Sequence, residues 1–169
     1  MKLVIVSGLS GSGKTVALHT LEDEEYYCVD NLPLGLLPDF IERVLNRKVQ
    51  LYDNIAVGID ARSDADDLRE FDNIMRRVKS RNPDRKIEVE IIYIQAELDT
   101  LIKRFSDTRR KHPLTRKGLP LSEAIAVEKN LLGELSRNAN LYIDTTYTNI
   151  HELRNYIKER VVRREKGNM

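Results

Sequence analysis

One cysteine, no tryptophan and three phenylalanines occur among the 169 residues. A single thiol, Cys28, closes no internal disulfide, and its run Tyr26-Tyr27-Cys28-Val29 reads as a buried strand rather than an activated thiol. A reducing, cytoplasmic compartment is the expectation. Aromatics at 6% are too sparse for a stacking platform. Long apolar runs are missing too. Met1 to Val6 could open a signal peptide, but Ser7 and a glycine-rich stretch interrupt it before an apolar region is complete. No later run has the length of a bilayer span, so no membrane partner is expected. Neither sign of charge dominates: 28 basic residues face 27 acidic ones, and whole-chain charge gives no reason to expect nucleic acid. His19, His112 and His151 have no metal-ligand spacing with Cys28 or with one another, and His112, beside Pro113, reads as a loop residue that helps order its segment.

What is present is an alternation. Short apolar runs at Leu3 to Val6, Tyr26 to Val29, Ile55 to Ile59, Val89 to Ile94 and Leu141 to Ile143 alternate with segments of helical period. The helical stripes are Leu36, Leu37, Phe40, Ile41, Val44; then Leu68, Phe71, Met75, Val78; then Leu98, Leu101, Ile102, Phe105. Leu121, Ile125, Leu131, Leu132, Leu135 follow, with Ser122 as the N-cap. Ile150, Leu153, Ile157, Val161 come last, with Asn149 and Glu152 spaced as a capping box. Strands joined by helix-length crossovers favour a parallel sheet covered on both faces. The predicted fold is a three-layer α/β/α P-loop NTPase domain with a five-stranded parallel sheet over residues 1–157. Residues 106–118 lack a clean apolar face and read as a lid-like basic loop. Residues 158–169, crowded with charge, read as a frayed end or an interdomain linker.

One motif carries chemistry. Gly8-Leu9-Ser10-Gly11-Ser12-Gly13-Lys14-Thr15 fits the Walker A pattern, directly after an apolar strand and before a helix. Such a loop curls its N–H groups inward as an anion nest continuous with the positive end of the helix dipole, Gly11 and Gly13 supplying the unusual dihedrals. Lys14 is expected on the β- and γ-phosphates and the Thr15 hydroxyl on Mg²⁺, with ATP or GTP as the ligand. A site of this kind also needs a carboxylate at the end of a neighbouring strand, and Asp30 and Asp60 both qualify as metal ligands. The residues alone do not choose, since either Asp could serve as a turn or cap residue. Arg62 and Ser63 follow Asp60 in the same turn and could contact a phosphate or base. The run Lys103 to Lys117 holds seven basic residues against Asp107. Arg109 and Arg110 in it are candidates to close on a γ-phosphate beside Lys14, against the alternatives of a solvated basic loop or an RNA-phosphate patch.

These residues resemble the RapZ/YvcJ family of bacterial nucleotide-binding proteins, one branch of which acts as an RNase adapter for small regulatory RNA. The likeness runs from end to end. It rests on Val4 to Lys14, on Tyr27-Cys28-Val29-Asp30-Asn31-Leu32-Pro33, on Asp60-Ala61-Arg62-Ser63 and on Thr108-Arg109-Arg110-Lys111-His112-Pro113-Leu114. The resemblance implies ATP on Gly8 to Thr15 and a second element at Asp60, Ala61, Arg62 and Ser63 associated with GTP, which favours Asp60 over Asp30. Thr15 stands where most members have Ser, and both hydroxyls suit Mg²⁺. Family members also carry a second domain, linked to RNA binding and sugar-phosphate sensing. These 169 residues have no room for it, so RNA and RNase partners are assigned to no residue here.

The function expected is an ATP/GTP-binding module with slow hydrolysis, since no Gln or Glu is evidently placed to orient a water, serving as the regulatory part of an RNase-adapter-type protein. The alternatives are a small-molecule kinase with Asp30 as the acceptor's base, and a non-catalytic RNA- or protein-binding surface on the basic segment. ATP versus GTP preference and oligomeric assembly stay open.

Overall fold

A computed structural model describes residues 1–47, 53–115 and 118–162. The strands are β1 (Lys2–Gly8), β2 (Tyr27–Val29), β3 (Asn54–Gly58), β4 (Glu88–Gln95) and β5 (Leu141–Asp144). They form one parallel sheet in the order β2-β3-β1-β4-β5. Interleaved with them are α1 (Lys14–Asp23), α2 (Leu37–Leu45), α3 (Ala65–Arg69), α4 (Phe71–Ser80), α5 (Leu98–Thr108), α6 (Leu121–Leu131), α7 (Gly133–Arg137) and α8 (Ile150–Ile157).

Side chains alternate across a strand, so β1 feeds both faces of the sheet. Leu3 and Ile5 join Leu37, Ile41, Phe71, Ile74, Val78, Leu132 and Leu135 in the layer of α2, α4 and α7. Val4 and Val6 point the other way, to Ala17, Leu18 and Leu21 of α1 and Leu153 and Ile157 of α8. All four β1 side chains are fully buried. At about 1.5–3 kcal/mol for each such side chain removed from water, β1 is firmly anchored on both sides. The loop that leaves it starts from a fixed point.

The three-layer α/β/α fold and its five-stranded parallel sheet follow the sequence reading strand for strand. Details differ. Pro120, not Ser122, stands before α6, because the fixed φ of proline suits a helix entry and no side-chain cap is formed there. Leu36, Leu98 and Ile150, at the N-terminal edges of their stripes, are exposed. The capping box of Asn149 and Glu152 is present in both directions. After α8 the chain makes a π-helical turn, Lys158–Val162, with Val161 and Val162 buried in the α1/α8 core. The charged end from 163 onward, and Arg116 and Lys117 of the basic loop, lie outside the described residues. Among the described residues no helix is long and apolar enough to cross a membrane.

Candidate functional site

The carboxyl ends of β1, β2, β3 and β4 converge on the loop from Gly8 to Thr15. Leu9 N–H donates to the Ile94 carbonyl at 3.0 Å, and the Ser12 hydroxyl donates to the same oxygen at 3.0 Å, which pins both limbs of the loop to β4. Gly11 (φ 84°) and Gly13 (φ 122°) supply the left-handed turns, as expected. Ser12 N–H closes back on Leu9 O at 3.0 Å. Among the described residues, the N–H groups of Gly11, Gly13, Lys14 and Thr15 have no protein partner. The last two belong to the first turn of α1, where a helix leaves its donors free and its dipole is positive.

Lys14 sits between the two competing carboxylates. Its Nζ is 3.3 Å from Asp30 Oδ1 and 3.3 Å from Asp60 Oδ2. The structure thus brings Asp30 and Asp60 to the same ammonium rather than choosing between them. They differ in setting: the Asp60 side chain is 7% exposed and that of Asp30 42%. Asp60 is gripped by Arg62, whose backbone N–H donates at 2.8 Å and whose Nη2 donates at 2.6 Å. Burial pushes the Asp60 carboxyl up, but the Arg62 hydrogen bonds and the Lys14 charge outweigh it and hold the group below the usual range. In return, Asp60 raises the Arg62 guanidinium. Arg62 also donates to the Asn31 side chain, so the turns after β2 and β3 are tied together over the sheet edge. A close approach makes room for this: a Cβ on Gly58 would lie 2.5 Å from Asp30 Oδ1 and 2.9 Å from Leu18 Cδ1.

The loop is braced from two sides by residues the sequence did not single out for this site. Arg104 of α5 donates from Nη1 to Gly11 O and to Thr145 Oγ1, both at 3.0 Å, and from Nη2 to Thr145 O at 2.5 Å. The Thr145 hydroxyl in turn donates to Ser12 O at 2.5 Å. On the other side, Glu128 of α6 accepts from Ser10 N–H at 2.8 Å and from the Ser10 hydroxyl at 2.5 Å. Arg109 and Arg110 follow α5 as exposed residues, Arg109 in the left-handed conformation at φ 53°. The arginine bonded to the loop is Arg104. Cys28 sits half-buried in β2, its thiol pushed up to about 12 by burial and by the charge of Glu22, far from an activated thiolate.

The donors at the mouth of the loop are oxygen: the exposed Thr15 hydroxyl and the carboxylates of Asp30 and Asp60. Among the described residues no group of three or more His, Cys, Asp or Glu side chains is placed to hold a metal by itself. The set fits Mg²⁺, a hard cation that takes one or two protein oxygens and fills its octahedron with phosphate and water.

A nucleotide-binding protein of Thioalkalivibrio sulfidiphilus is 50% identical over 161 residues, covering 95% of this chain and 55% of the relative. One of Hahella chejuensis is 52% identical over 162 residues, with 96% and 55% covered. The chain therefore spans about half the length of the curated relatives it matches. Among solved structures, the YorR protein of Bacillus subtilis, in complex with phosphorylated GDP, superposes with a TM-score of 0.59 at 16% identity over 97% of this chain and 98% of that one. Shikimate kinase of Acinetobacter baumannii, in complex with shikimate, gives 0.54 at 16% identity over 96% and 93%. At such identities these two share the fold, that of P-loop kinases. The family described as the RapZ-like N-terminal domain matches residues 1–165, and with half-identical relatives along the whole of that span the chain belongs to it.

Proposed function

We propose that this domain binds ATP or GTP, with Mg²⁺, on Gly8 to Thr15, and hydrolyses it slowly. The observation that carries the reading is Lys14 held at 3.3 Å from each of two carboxylates, beside a loop whose N–H groups at Gly11, Gly13, Lys14 and Thr15 have no acceptor among the described residues. A phosphate chain supplies the anion those donors lack and releases Lys14 from the aspartates toward its own oxygens. Thr15 and one of Asp30 or Asp60 hold the cation, which neutralises the phosphate charge when bound. Asp60, already fixed by Arg62, is the better placed of the two. The nucleotide-binding relatives support the ligand class, and in the longer protein the domain's occupancy sets the state of the remainder, the regulatory role of an RNase adapter. RNA and RNase contacts belong to that remainder.

Calorimetric titration tests this. Mg²⁺-dependent binding of ATP or GTP is expected, with a loss of about 100-fold or more in Lys14→Ala, since one charge-assisted contact to phosphate is worth about 3 kcal/mol. Unchanged affinity in Lys14→Ala would remove the reading.

A second reading, phosphoryl transfer to a small molecule, draws on a cavity of about 500 Å³ next to the Asp60 turn, lined by Arg62, Ser63, Asp64, Leu114, Val127 and Leu131. It has room for a metabolite-sized acceptor; Asp30, the base expected from the sequence, is not among its lining residues, and Asp64 is the carboxylate that lines it. Consumption of ATP stimulated by a pool of small hydroxylated metabolites would favour it over slow hydrolysis.

A further inference from the structure

Glu128 is a carboxylate where the helix pattern calls for a hydrocarbon. It lies on the buried face of α6 with Ala124 and Ile125, and it is fully shielded from water. An unpaired carboxylate so placed would cost several kcal/mol, so its partners define its purpose. There are two kinds. Both carboxylate oxygens are used by Ser10, one from the backbone N–H and one from the hydroxyl. Oε1 also lies 3.1 Å from Nε2 of His112, which is buried as well; the atoms are close without being aligned as a hydrogen bond. His112 Nδ1 accepts Leu114 N–H at 3.0 Å, so the proton of the neutral ring belongs on Nε2, facing Glu128.

The imidazole also touches Phe105, with ring centroids 5.5 Å apart, and Phe105 packs against Gly11, where a Cβ would sit 3.3 Å from Cε2. The loop at Ser10 and Gly11 is therefore clasped by two buried groups, Glu128 and Phe105, and His112 bridges them. Arg109, Arg110 and Lys111, all exposed, immediately precede His112.

We infer that Glu128 is a positioning residue that turns Ser10 N–H away from the anion nest and, through His112, couples the phosphate loop to the basic segment 109–115, so that nucleotide occupancy is reported at Arg109 to Lys111. The inference rests on the nucleotide-binding reading. A carboxylate accepting two bonds from one residue fixes the loop's curvature at Ser10, and a phosphate drawn into the nest moves Ser10 and Gly11 only together with Glu128, Phe105 and His112. Ser10 is thereby the tether of the loop, and the phosphate contacts fall to the N–H groups of Gly11, Gly13, Lys14 and Thr15.

The test is tryptic cleavage after Arg109, Arg110 and Lys111, followed by mass spectrometry, with and without ATP and Mg²⁺ at concentrations that calorimetry shows to be saturating for each variant. Nucleotide is expected to slow cleavage at these sites by about fivefold or more in the wild type. Glu128→Gln should keep this protection, because an amide oxygen accepts the Ser10 N–H while its NH₂ donates to the hydroxyl. Glu128→Ala should bind nucleotide about tenfold more weakly and show no protection at saturation. His112→Asn, whose amide oxygen takes over the Leu114 N–H, leaves Glu128 on Ser10. It should bind nearly normally yet lose the protection, which keeps the proposal testable if Glu128→Ala does not fold. Protection retained in His112→Asn, or absent from a wild type that binds nucleotide, overturns the coupling. Absence of nucleotide binding in the calorimeter overturns the binding reading as well, and the two failures are told apart by that readout.

Discussion

Replacing Asp60 by Asn removes one charge and little volume, and the structure indicates what that charge holds. Asp60 Oδ2 accepts from Arg62 Nη2 at 2.6 Å and faces Lys14 Nζ at 3.3 Å, while Oδ1 accepts the Arg62 backbone N–H at 2.8 Å. An Asn oxygen keeps the backbone bond. Its NH₂ then faces the Arg62 guanidinium and the Lys14 ammonium, two donors it cannot satisfy. Each charge-assisted bond contributes about 1.5–3 kcal/mol in a buried setting. Arg62 is 54% exposed and regains water, so its share is small. Lys14 keeps Asp30. The net loss is about 2–3 kcal/mol, which for a domain of this size is about 5–10 °C in Tm. The pH dependence supplies an independent sign. The folded carboxyl lies below its unfolded value, so its contribution is present above about pH 4 and is lost as pH falls through the folded value. Thermal and urea denaturation of wild type and Asp60→Asn at neutral pH and at about pH 3 check both points. The difference between the proteins should be full at neutral pH and shrink in acid. A Tm within a degree of wild type, or a difference that grows on acidification, would refute the account of Asp60 as a charge clamped between Arg62 and Lys14.

Two further outcomes follow from the same geometry. Gly58→Ala places a methyl 2.5 Å from Asp30 Oδ1 and 2.9 Å from Leu18 Cδ1, so Asp30 swings off Lys14; a loss of about 1–3 kcal/mol in urea is expected, and an unchanged midpoint would contradict the close approach. Cys28, with its thiol pushed up to about 12, should resist iodoacetamide at pH 8 in the native protein by at least about 100-fold relative to the urea-unfolded chain, as followed by mass spectrometry. Equal rates would show the strand to be open.

The sheet and the phosphate loop were legible because their signals are local: five apolar runs of strand length, and a loop whose glycines must stand at fixed spacing. Asp30 and Asp60 were both legible as strand-end acids, but their joint contact with Lys14 depends on β2 and β3 lying side by side in the sheet. The braces were not legible. Arg104 was one basic residue in the run from Lys103 to Lys117, and its role comes from Thr145, 41 positions away. Glu128 left a trace, an acid at the place in the stripe between Ile125 and Leu132 where an apolar residue belongs. Its partner Ser10 lies 118 positions earlier, beyond the reach of any local pattern. Ser122 shows the opposite failure, a local cap signal overruled by Pro120, which starts α6 two positions sooner.

The register of β1 bears on how the chain reaches this state. Lys2 pairs with Asn54 on one side and Glu88 on the other, so β1 meets its first neighbour more than 50 residues along the chain and its second more than 80. Pairing across such separations is slow, because a large loop closes before any contact repays it. The phosphate loop precedes the residues that shape it by more than 100 positions, since Ser10 waits for Glu128 and Ser12 waits for Thr145. A ligand held on that loop therefore acts as a late lock on an assembled domain, retarding its unfolding far more than it hastens its folding.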